Sequence, residues 1–543
     1  MPTKGSNGVK FVYYADHKVK RVAAAGTFNN WNHKRGEMEN IEGNIWTVEL
    51  NIPKGRHLYK IVIDDEEWVT DPLNPSISED CQNNSAITVT DEGEVLIRTT
   101  EISEQNPNYM YEQFSAIESP EWIRQSVIYE LHLRAFNEHG FRGLVEKLPY
   151  LKELGVNTLW IMPFQQVGQQ FRLGTYGDPY AVQDFYSIDA SFGDTEDVKA
   201  FVRTAHSQGM KIIMDWVMNR GSVDHVWTQS HPEYFTHNEK GEIYYEVPNR
   251  EYFAGLNFDS AEMRKCVIDA MKHWISEYDF DGFRLDDSDI TPLDFLEEIR
   301  QELSRIKKDV ALISQSYDEF HHLHACDLTY DGSLRLLIQE MAESTIGQSD
   351  FIRTYNSYKY SFPKGALRMR WLEDKEQSRI SACMGDNLAK ATASILMTMD
   401  GVPLLMMGQE FNERTLDTWA SLFEEYQLDW SQFDREMFEH YKYLIHLRTQ
   451  SAAFWEGTLE FVPNSEDKVL SYIRSSETEK YLVIVSISDN PLDVRFEDSS
   501  ALLRHFGTGG DLIYRTGTGE LPDFEGGRVH LDRYETLIYR LRD

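Results

Sequence analysis

The sequence is poor in cysteine, with four residues in a chain of 543. Cys81, Cys266, Cys326 and Cys383 lie far apart and show no spacing typical of metal ligands. This pattern excludes a disulfide framework and predicts isolated buried thiols. We expect neither a metal site nor a cofactor.

Basic residues are scarce relative to acidic ones. The chain has 54 Lys and Arg against 89 Asp and Glu, which gives a formal charge of -35. This excess of negative charge argues against nucleic acid or an anionic membrane as a partner. Long apolar runs are also missing, and the segment from Met1 to Lys10 lacks the apolar core of a signal peptide. The sequence therefore predicts a cytoplasmic protein.

A chain of this length is too long for one compact core, so we expect two to four domains. Residues 1–98 alternate short β-rich runs with turns and predict a small β-sandwich, and the polar segment 99–122 predicts a linker. Residues 123–453 alternate apolar strands with amphipathic helices, which predicts an α/β protein of the (β/α)₈ TIM-barrel type, with a long insert at 219–257 after the third strand. Residues 454–543 predict a C-terminal β-sandwich.

The segment from Phe280 to Ile290 runs from a predicted strand into a loop. Arg284 lies two residues before Asp286, so both side chains leave the same face of the strand. A guanidinium beside a carboxylate keeps the carboxylate ionised, as a carboxylate nucleophile requires. On these residues alone a structural ion pair remains the alternative.

The N-terminal segment resembles the glycogen-binding, carbohydrate-module-48 type of immunoglobulin-like domain. The resemblance lies in Ala25 to Asn32, in Tyr59 to Asp64, and in Trp68 with Asp71-Pro72. It implies a glucan site formed by Trp31, Lys60, Trp68 and Asn84, of which Asn84 has a second asparagine beside it. Aromatic faces suit sugar rings, and amide and ammonium groups suit hydroxyls. A packing domain that binds no sugar is the alternative.

The chain as a whole resembles glycoside hydrolase family 13, the α-amylase family. The matching segments are Val127 to Glu130, Gly155 to Pro163, Tyr180 to Asp189, and Gly401 to Glu410. The resemblance implies a retaining mechanism on α-glucosidic bonds, with a nucleophilic Asp, an acid/base Glu and a stabilising Asp at the ends of three barrel strands. The expected ligand is an oligosaccharide or α-glucan, and a homodimer is possible.

Residue by residue, the family motif is only partly kept. The resemblance places the nucleophile at Asp286, the acid/base position at Gln315 and the stabiliser position at Glu376. The substrate-binding positions that it implies are Tyr180, Asp215, Arg220, Arg284 and Lys375. At two of these, Arg220 and Lys375, the family has histidines. Asp318, Glu319 and Glu373 are other candidates for the missing acid.

An amide cannot perform the proton transfers of general acid/base catalysis, so Gln315 requires an explanation. Either the Gln was introduced into an active enzyme, or the natural enzyme works without this carboxyl group, or the site only binds sugar. The other positions that differ from the family motif, Arg220, Lys375 and Glu376, all hold polar residues, and Glu376 is still an acid. This favours an enzyme with an altered site over a protein that has lost its activity. A catalytically inactive α-glucan-binding protein is the alternative function.

Overall fold

The computed structural model describes a closed barrel between two β-rich regions. The described residues are 2–15, 17–78, 83–90, 93–97, 111, 114–245, 247, 250–415, 420–496, 510–517 and 527–542. Cys81 and most of the predicted linker, 99–122, lie outside these residues. The last part of that linker already contains helix Glu121–Arg124.

The N-terminal region is a sandwich of two antiparallel sheets. One sheet has the order Thr3–Lys4, Val9–Tyr14, Ile45–Leu50, Glu39–Glu42. The other has Val22–Gly26, Gly55–Ile63, Ser85–Val89 and Val95–Leu96, with Glu67–Val69 paired to Gly55–Ile63. Alternate residues of the second strand, Val9, Phe11 and Tyr13, are buried, as a strand with one face on a core requires.

The central region is a closed barrel of eight parallel strands, which confirms the predicted (β/α)₈ architecture. In chain order, the first to eighth barrel strands are Ile128–Leu131, Thr158–Ile161, Lys211–Trp216, Gly282–Leu285, Ala311–Ser314, Leu328–Asp331, Leu367–Arg370 and Val402–Met406. Apolar side chains from seven of these strands form one cluster that includes Trp160, Ile213 and Ile313. The fourth strand instead contributes the fully buried Arg284.

Helices surround the barrel and cover its outer face. Their bounds are Leu133–Phe136, Gly140–Leu154, Thr195–Ser207, Ala261–Tyr278, Leu293–Ser304, His321–His324, Ser333–Ala342, Gln348–Tyr360, Ile380–Met384, Asp386–Thr398, Arg435–Gln450 and Ala452–Trp455. The insert after the third strand contains helix Val226–Ser230 and the antiparallel pair Arg220–Ser222 and Phe253–Gly255. This pairing returns the insert to the rim of the barrel.

The C-terminal region is also β-rich, as predicted. Its larger sheet has the order Thr458–Phe461, Val469–Ser475, Lys480–Ser486, Thr536–Leu541, Gly510–Arg515, and Leu492–Arg495 pairs with Arg528–Leu531. Val469, Leu482 and Leu537 belong to its core.

The thiols differ from the prediction of burial. Cys326 is buried, Cys266 is half-buried and Cys383 is exposed. Cys383 lies on the uncovered side of the short helix Ile380–Met384, in which only Ile380 and Ser381 are buried. Within the described residues, no helix is long and apolar enough to cross a membrane.

Candidate active site

The floor of the site is a buried ion pair between neighbouring strands. Asp215 on the third strand and Arg284 on the fourth are paired in register, and Arg284 Nη1 lies 2.9 Å from Asp215 Oδ1. The other Asp215 oxygen accepts hydrogen bonds from the Tyr180 hydroxyl at 2.8 Å and from the Trp160 indole at 3.1 Å. Asp215 therefore fixes both the guanidinium and the tyrosine, with no surface of its own in contact with solvent.

Asp286 extends the fourth strand by one residue, with its N–H donating to the Trp216 carbonyl at 2.9 Å. Its Oδ1 accepts from Arg284 Nη1 at 2.5 Å, and its Oδ2 accepts from Arg220 Nη2 at 2.5 Å. Burial alone would raise the pKa of this carboxyl group, but the two guanidinium groups outweigh burial and lower it. Asp286 is thus held as a carboxylate, with a cation on each oxygen.

Arg220 reaches Asp286 from the start of the insert. Its guanidinium also donates to Asp287 Oδ2 at 2.6 Å and to Asn219 Oδ1 at 2.8 Å, and it lies 4.6 Å from the centre of the Phe253 ring. The side chain is 6 % exposed. It is therefore a fixed cation of the site rather than a surface charge.

Asp287 is a member of the site that sequence reasoning missed. Side chains alternate along a strand, so a residue directly after Asp286 would be expected to face away. The chain instead turns at Asp287, where φ is 45°, and the carboxylate meets Arg220. Burial raises the pKa of Asp287, opposed by Arg220 and reinforced by the charges of Asp286 and Glu376. The acidic run Asp286-Asp287 was the available signal.

Gln315 extends the fifth strand in the same way, with its N–H donating to the Leu285 carbonyl at 3.1 Å. Its Oε1 accepts from the backbone N–H of Asp287 at 2.9 Å, which fixes the orientation of the amide because that N–H requires an acceptor. Nε2 then lies 3.5 Å from Glu376 Oε1. The residue bridges the two acidic positions but has no proton to transfer.

Glu376 and Lys375 follow the seventh strand. The Glu376 side chain is 35 % exposed, whereas Lys375 is buried, with Nζ 3.6 Å from Glu376 Oε1 and 3.9 Å from Glu130 Oε1. The Lys375 ammonium also lies 5.5 Å from the centre of the Tyr180 ring. Burial raises the pKa of Glu130 to about 8, with Lys375 opposing the shift. Lys375 is therefore a buried counter-charge beneath the site.

These residues open into a cleft of about 660 Å³. The cleft contains Asp286, Asp287, Gln315 and Glu376 together with Tyr180 and Arg220. Aromatic residues make up much of the remaining wall: Tyr245, Phe253, Tyr317, Tyr330 and Trp371. Apolar rings beside a few polar groups are typical of sugar-binding clefts.

The structure places the predicted substrate-binding residues at two depths. Tyr180 and Arg220 line the cleft, whereas Asp215, Arg284 and Lys375 lie below its floor. Neighbouring acids and rings cover the charged groups of the last three residues.

The three other candidates for the missing acid lie away from the cleft. Asp318 accepts hydrogen bonds from the backbone N–H groups of Arg56 and Phe320, and Glu319 accepts one from Thr88. Glu373 is paired with the buried Arg379 at 2.8 Å. All three acids are engaged in packing contacts. Among the described residues, no group of three or more His, Cys, Asp or Glu is arranged to hold a metal ion.

The four residues expected to form a glucan site on the N-terminal sandwich lie together. Trp31, Lys60, Trp68 and Asn84 all line the same cleft as Asp286. The Trp31 and Trp68 ring centres are 6.4 Å apart with 41° between the planes.

The cleft lies at the C-terminal end of a (β/α)₈ barrel, is lined by carboxylates and aromatic rings, and faces the Trp31 and Trp68 pair. These features define a carbohydrate-active protein. Residues 137–253 and 232–427 match the profile of the α-amylase catalytic domain, and residues 9–95 match that of the glycogen recognition site of AMP-activated protein kinase. The chain belongs to the α-amylase family, glycoside hydrolase family 13.

The relatives of this chain include α-amylases. It is 25 % identical over 487 residues to alpha-amylase 3 of Dictyoglomus thermophilum, covering 77 % of this chain and 94 % of that protein. It is also 25 % identical over 399 residues to alpha-amylase MalA of Haloarcula japonica, covering 69 % of this chain and 57 % of that protein. The structure of a noncanonic maltogenic α-amylase, AmyB of Thermotoga neapolitana, matches 77 % of this chain and 99 % of its own, with 28 % identity and a TM-score of 0.67.

Proposed function

We propose that this chain acts on α-glucosidic bonds of an α-glucan or oligosaccharide by a retaining double displacement, with Asp286 as the nucleophile. The observation that supports this proposal best is the carboxylate of Asp286 at the end of the fourth barrel strand, kept ionised by Arg284 and Arg220. An ionised carboxylate at the mouth of a TIM barrel is the group that attacks an anomeric carbon in this mechanism.

Other groups in the cleft suit the oxocarbenium-like transition state. Tyr180 offers a ring beside the nucleophile, held by its hydrogen bond to Asp215. Glu376 projects a carboxylate into the cleft, and Gln315 is oriented to donate its amide hydrogen towards an oxygen. Positive charge that develops on the sugar would thus meet the carboxylates of both Asp286 and Glu376.

The leaving oxygen of an ordinary glucoside needs a proton, and Gln315 supplies none. Asp287 accepts from Arg220 Nη1 at 2.6 Å through its Oδ2, so it is a partner of that cation and not a proton donor. We therefore expect efficient turnover only of substrates whose leaving group needs little protonation.

A second candidate function is α-glucan binding without turnover. It is favoured by the position of Arg220, which occupies Oδ2 of Asp286 while Arg284 occupies Oδ1. A nucleophile with a cation on each oxygen is both less reactive and sterically covered. Turnover requires that a bound sugar displace the Arg220 contact.

Substrates with different leaving groups distinguish the two candidates. We expect the protein to hydrolyse α-glucosyl fluoride, whose leaving group needs little protonation, faster than maltoheptaose, and Asp286→Ala to abolish both activities. Asp309→Ala is the matched control, because Asp309 is an exposed carboxylate before the fifth strand, at the opposite end of the barrel. Binding of maltoheptaose without turnover of either substrate would support the second candidate.

A further inference from the structure

The N-terminal sandwich presents its aromatic pair to the barrel. Lys60 lies on strand Gly55–Ile63, Trp68 on the adjacent strand Glu67–Val69, and Asn84 directly before Ser85–Val89. The sheet that contains these strands contacts the barrel through its inner strands Gly55–Ile63 and Ser85–Val89, and Trp31 joins the three residues from the segment after Val22–Gly26. The four residues of the sandwich whose side chains suit sugar binding thus lie in one wall of the cleft.

Trp31 is held in an unusual backbone conformation. Asn30 and Trp31 have φ of 52° and 58°, in the left-handed region that large side chains rarely adopt. Hydrogen bonds from the Trp31 N–H to the Gly26 carbonyl at 2.8 Å and from the Gly26 N–H to Asn29 Oδ1 at 2.9 Å fix this turn. The strained turn directs an indole ring at the cleft, where it pairs with Trp68.

The sandwich contacts the loop that begins with Gln315. Arg56 donates from its backbone N–H to Asp318 Oδ2 at 2.9 Å and from Nη1 to the Tyr317 carbonyl at 2.8 Å. Thr88 donates to Glu319 Oε1 at 3.2 Å. Arg56, Thr88, Asp318 and Glu319 are all buried. These desolvated polar contacts fix the sandwich relative to the catalytic centre, because breaking them would leave buried groups unpaired.

A second contact connects the sandwich to the insert. Arg35 Nη2 donates to the Tyr244 hydroxyl at 3.0 Å, and the neighbouring Tyr245 lines the cleft. The wall that carries Trp31 and Trp68 is therefore anchored on both the fifth-strand loop and the insert.

From this arrangement, and on the basis of the proposed function, we infer that the aromatic pair Trp31 and Trp68 with Lys60 forms a subsite of the active-site cleft. One α-1,4-linked glucan chain occupies this subsite and the Asp286 centre together. The sandwich is then a determinant of chain length for the reacting substrate, and not a separate docking site for a polysaccharide particle. Stacking on the two rings and hydrogen bonds from Lys60 would hold the sugars remote from the reacting bond.

The test is calorimetric titration of the full chain with maltoheptaose and with maltose. We expect one binding event per chain for maltoheptaose, weakened about tenfold by Trp68→Ala and largely restored in Trp68→Phe, while maltose changes less. Glu376→Gln, on the barrel side of the cleft, should alter the same binding event. Tyr14→Ala is the matched control, since Tyr14 is an aromatic residue of the same sandwich that is 56 % exposed and lies on the other sheet.

Two independent binding events, or a maltoheptaose affinity that does not respond to Trp68→Ala, would overturn the inference alone. Absence of maltoheptaose binding by the unchanged protein would overturn the inference together with glucan binding as its function. Turnover of α-glucosyl fluoride is measured separately and reports on Asp286 without requiring the subsite. Circular dichroism of each variant establishes that it is folded.

Discussion

Gln315→Glu should convert the cleft into a faster glucosidase for unactivated substrates. The amide nitrogen of Gln315 lies 3.5 Å from Glu376 Oε1, so the substitution would place two carboxyl groups at that distance. The other oxygen would still accept from the Asp287 N–H. The introduced group therefore keeps the position of the amide and adds a titratable proton.

The charge of Glu376 determines how tightly that proton is held. Two like charges 3.5 Å apart repel by about 5 kcal/mol at an effective dielectric constant of about 20. The Glu376 side chain is 35 % exposed, so we halve this figure for solvent screening, to about 2.5 kcal/mol. This corresponds to about 2 pKa units and raises the introduced carboxyl from about 4.3 to about 6. It would be protonated, and able to act as an acid, below that pH.

The assay is the pH dependence of kcat/KM for maltoheptaose and α-glucosyl fluoride. General acid catalysis contributes about 10²- to 10⁴-fold, so we expect a gain of at least about a hundredfold on maltoheptaose and little change on the fluoride. Activity on maltoheptaose should fall as the pH rises through about 6. In Gln315→Glu with Glu376→Gln, the falling limb should move towards the ordinary pKa of a glutamate, because the neighbouring charge is gone.

Two results would refute this reasoning. If maltoheptaose activity stays unchanged while the fluoride is still cleaved, a proton at position 315 is not what limits the reaction. If the falling limb stays at the same pH in the double variant, Glu376 does not set the pKa of the introduced acid.

Three further outcomes follow from the buried charges. Arg220→His should free Oδ2 of Asp286 and speed the cleavage of α-glucosyl fluoride about tenfold, because a hydrogen bond to a charged group is worth about 1.5–3 kcal/mol. A slower rate would show that the reaction needs the cation itself. Arg284→Met should lower the free energy of unfolding in urea by about 3–5 kcal/mol, because Asp215 would lose its buried partner, and a loss below about 1 kcal/mol would contradict this. Burial, together with nearby Glu319, raises the pKa of Asp318 to about 7, so the folded chain binds an extra proton between about pH 4 and 7 and its stability falls as the pH rises through that window. Asp318→Asn should make the unfolding free energy, measured in urea titrations, depend less on pH in this window. An unchanged slope would exclude Asp318 as the source of the dependence.

The fold could be predicted from sequence because the spacing of apolar residues differs from one region to the next. Apolar strands separated by amphipathic helices indicated the eight barrel strands, and the end of the fourth strand pointed to Asp286. Gln315 was identified only through the resemblance to the α-amylase family. The depth of the side chains could not be predicted in this way. Whether Asp215 and Lys375 reach the cleft depends on the register between strands and on the groups that cover them, such as Tyr180.

The shared cleft could not be predicted either. The sandwich residues and the barrel residues were each identified by local motifs, but their relative placement depends on contacts such as Arg56 with Asp318, which are 262 positions apart in the chain. Nothing in a local pattern specifies such a contact.

The residues that we expect to depart from the family motif lie beside one another in space, and this bears on how the site can be changed. Arg220 pairs with both Asp286 and Asp287, Gln315 accepts from the Asp287 backbone, and Lys375 lies between Glu130 and Glu376. Each of the two cations therefore has an acid beside it. Removing one partner leaves a buried charge uncompensated. A return to the family arrangement should consequently require paired substitutions, Arg220 with Asp287 and Lys375 with Glu376, and the loss of unfolding free energy in each pair should be smaller than the sum of the losses from its two single changes.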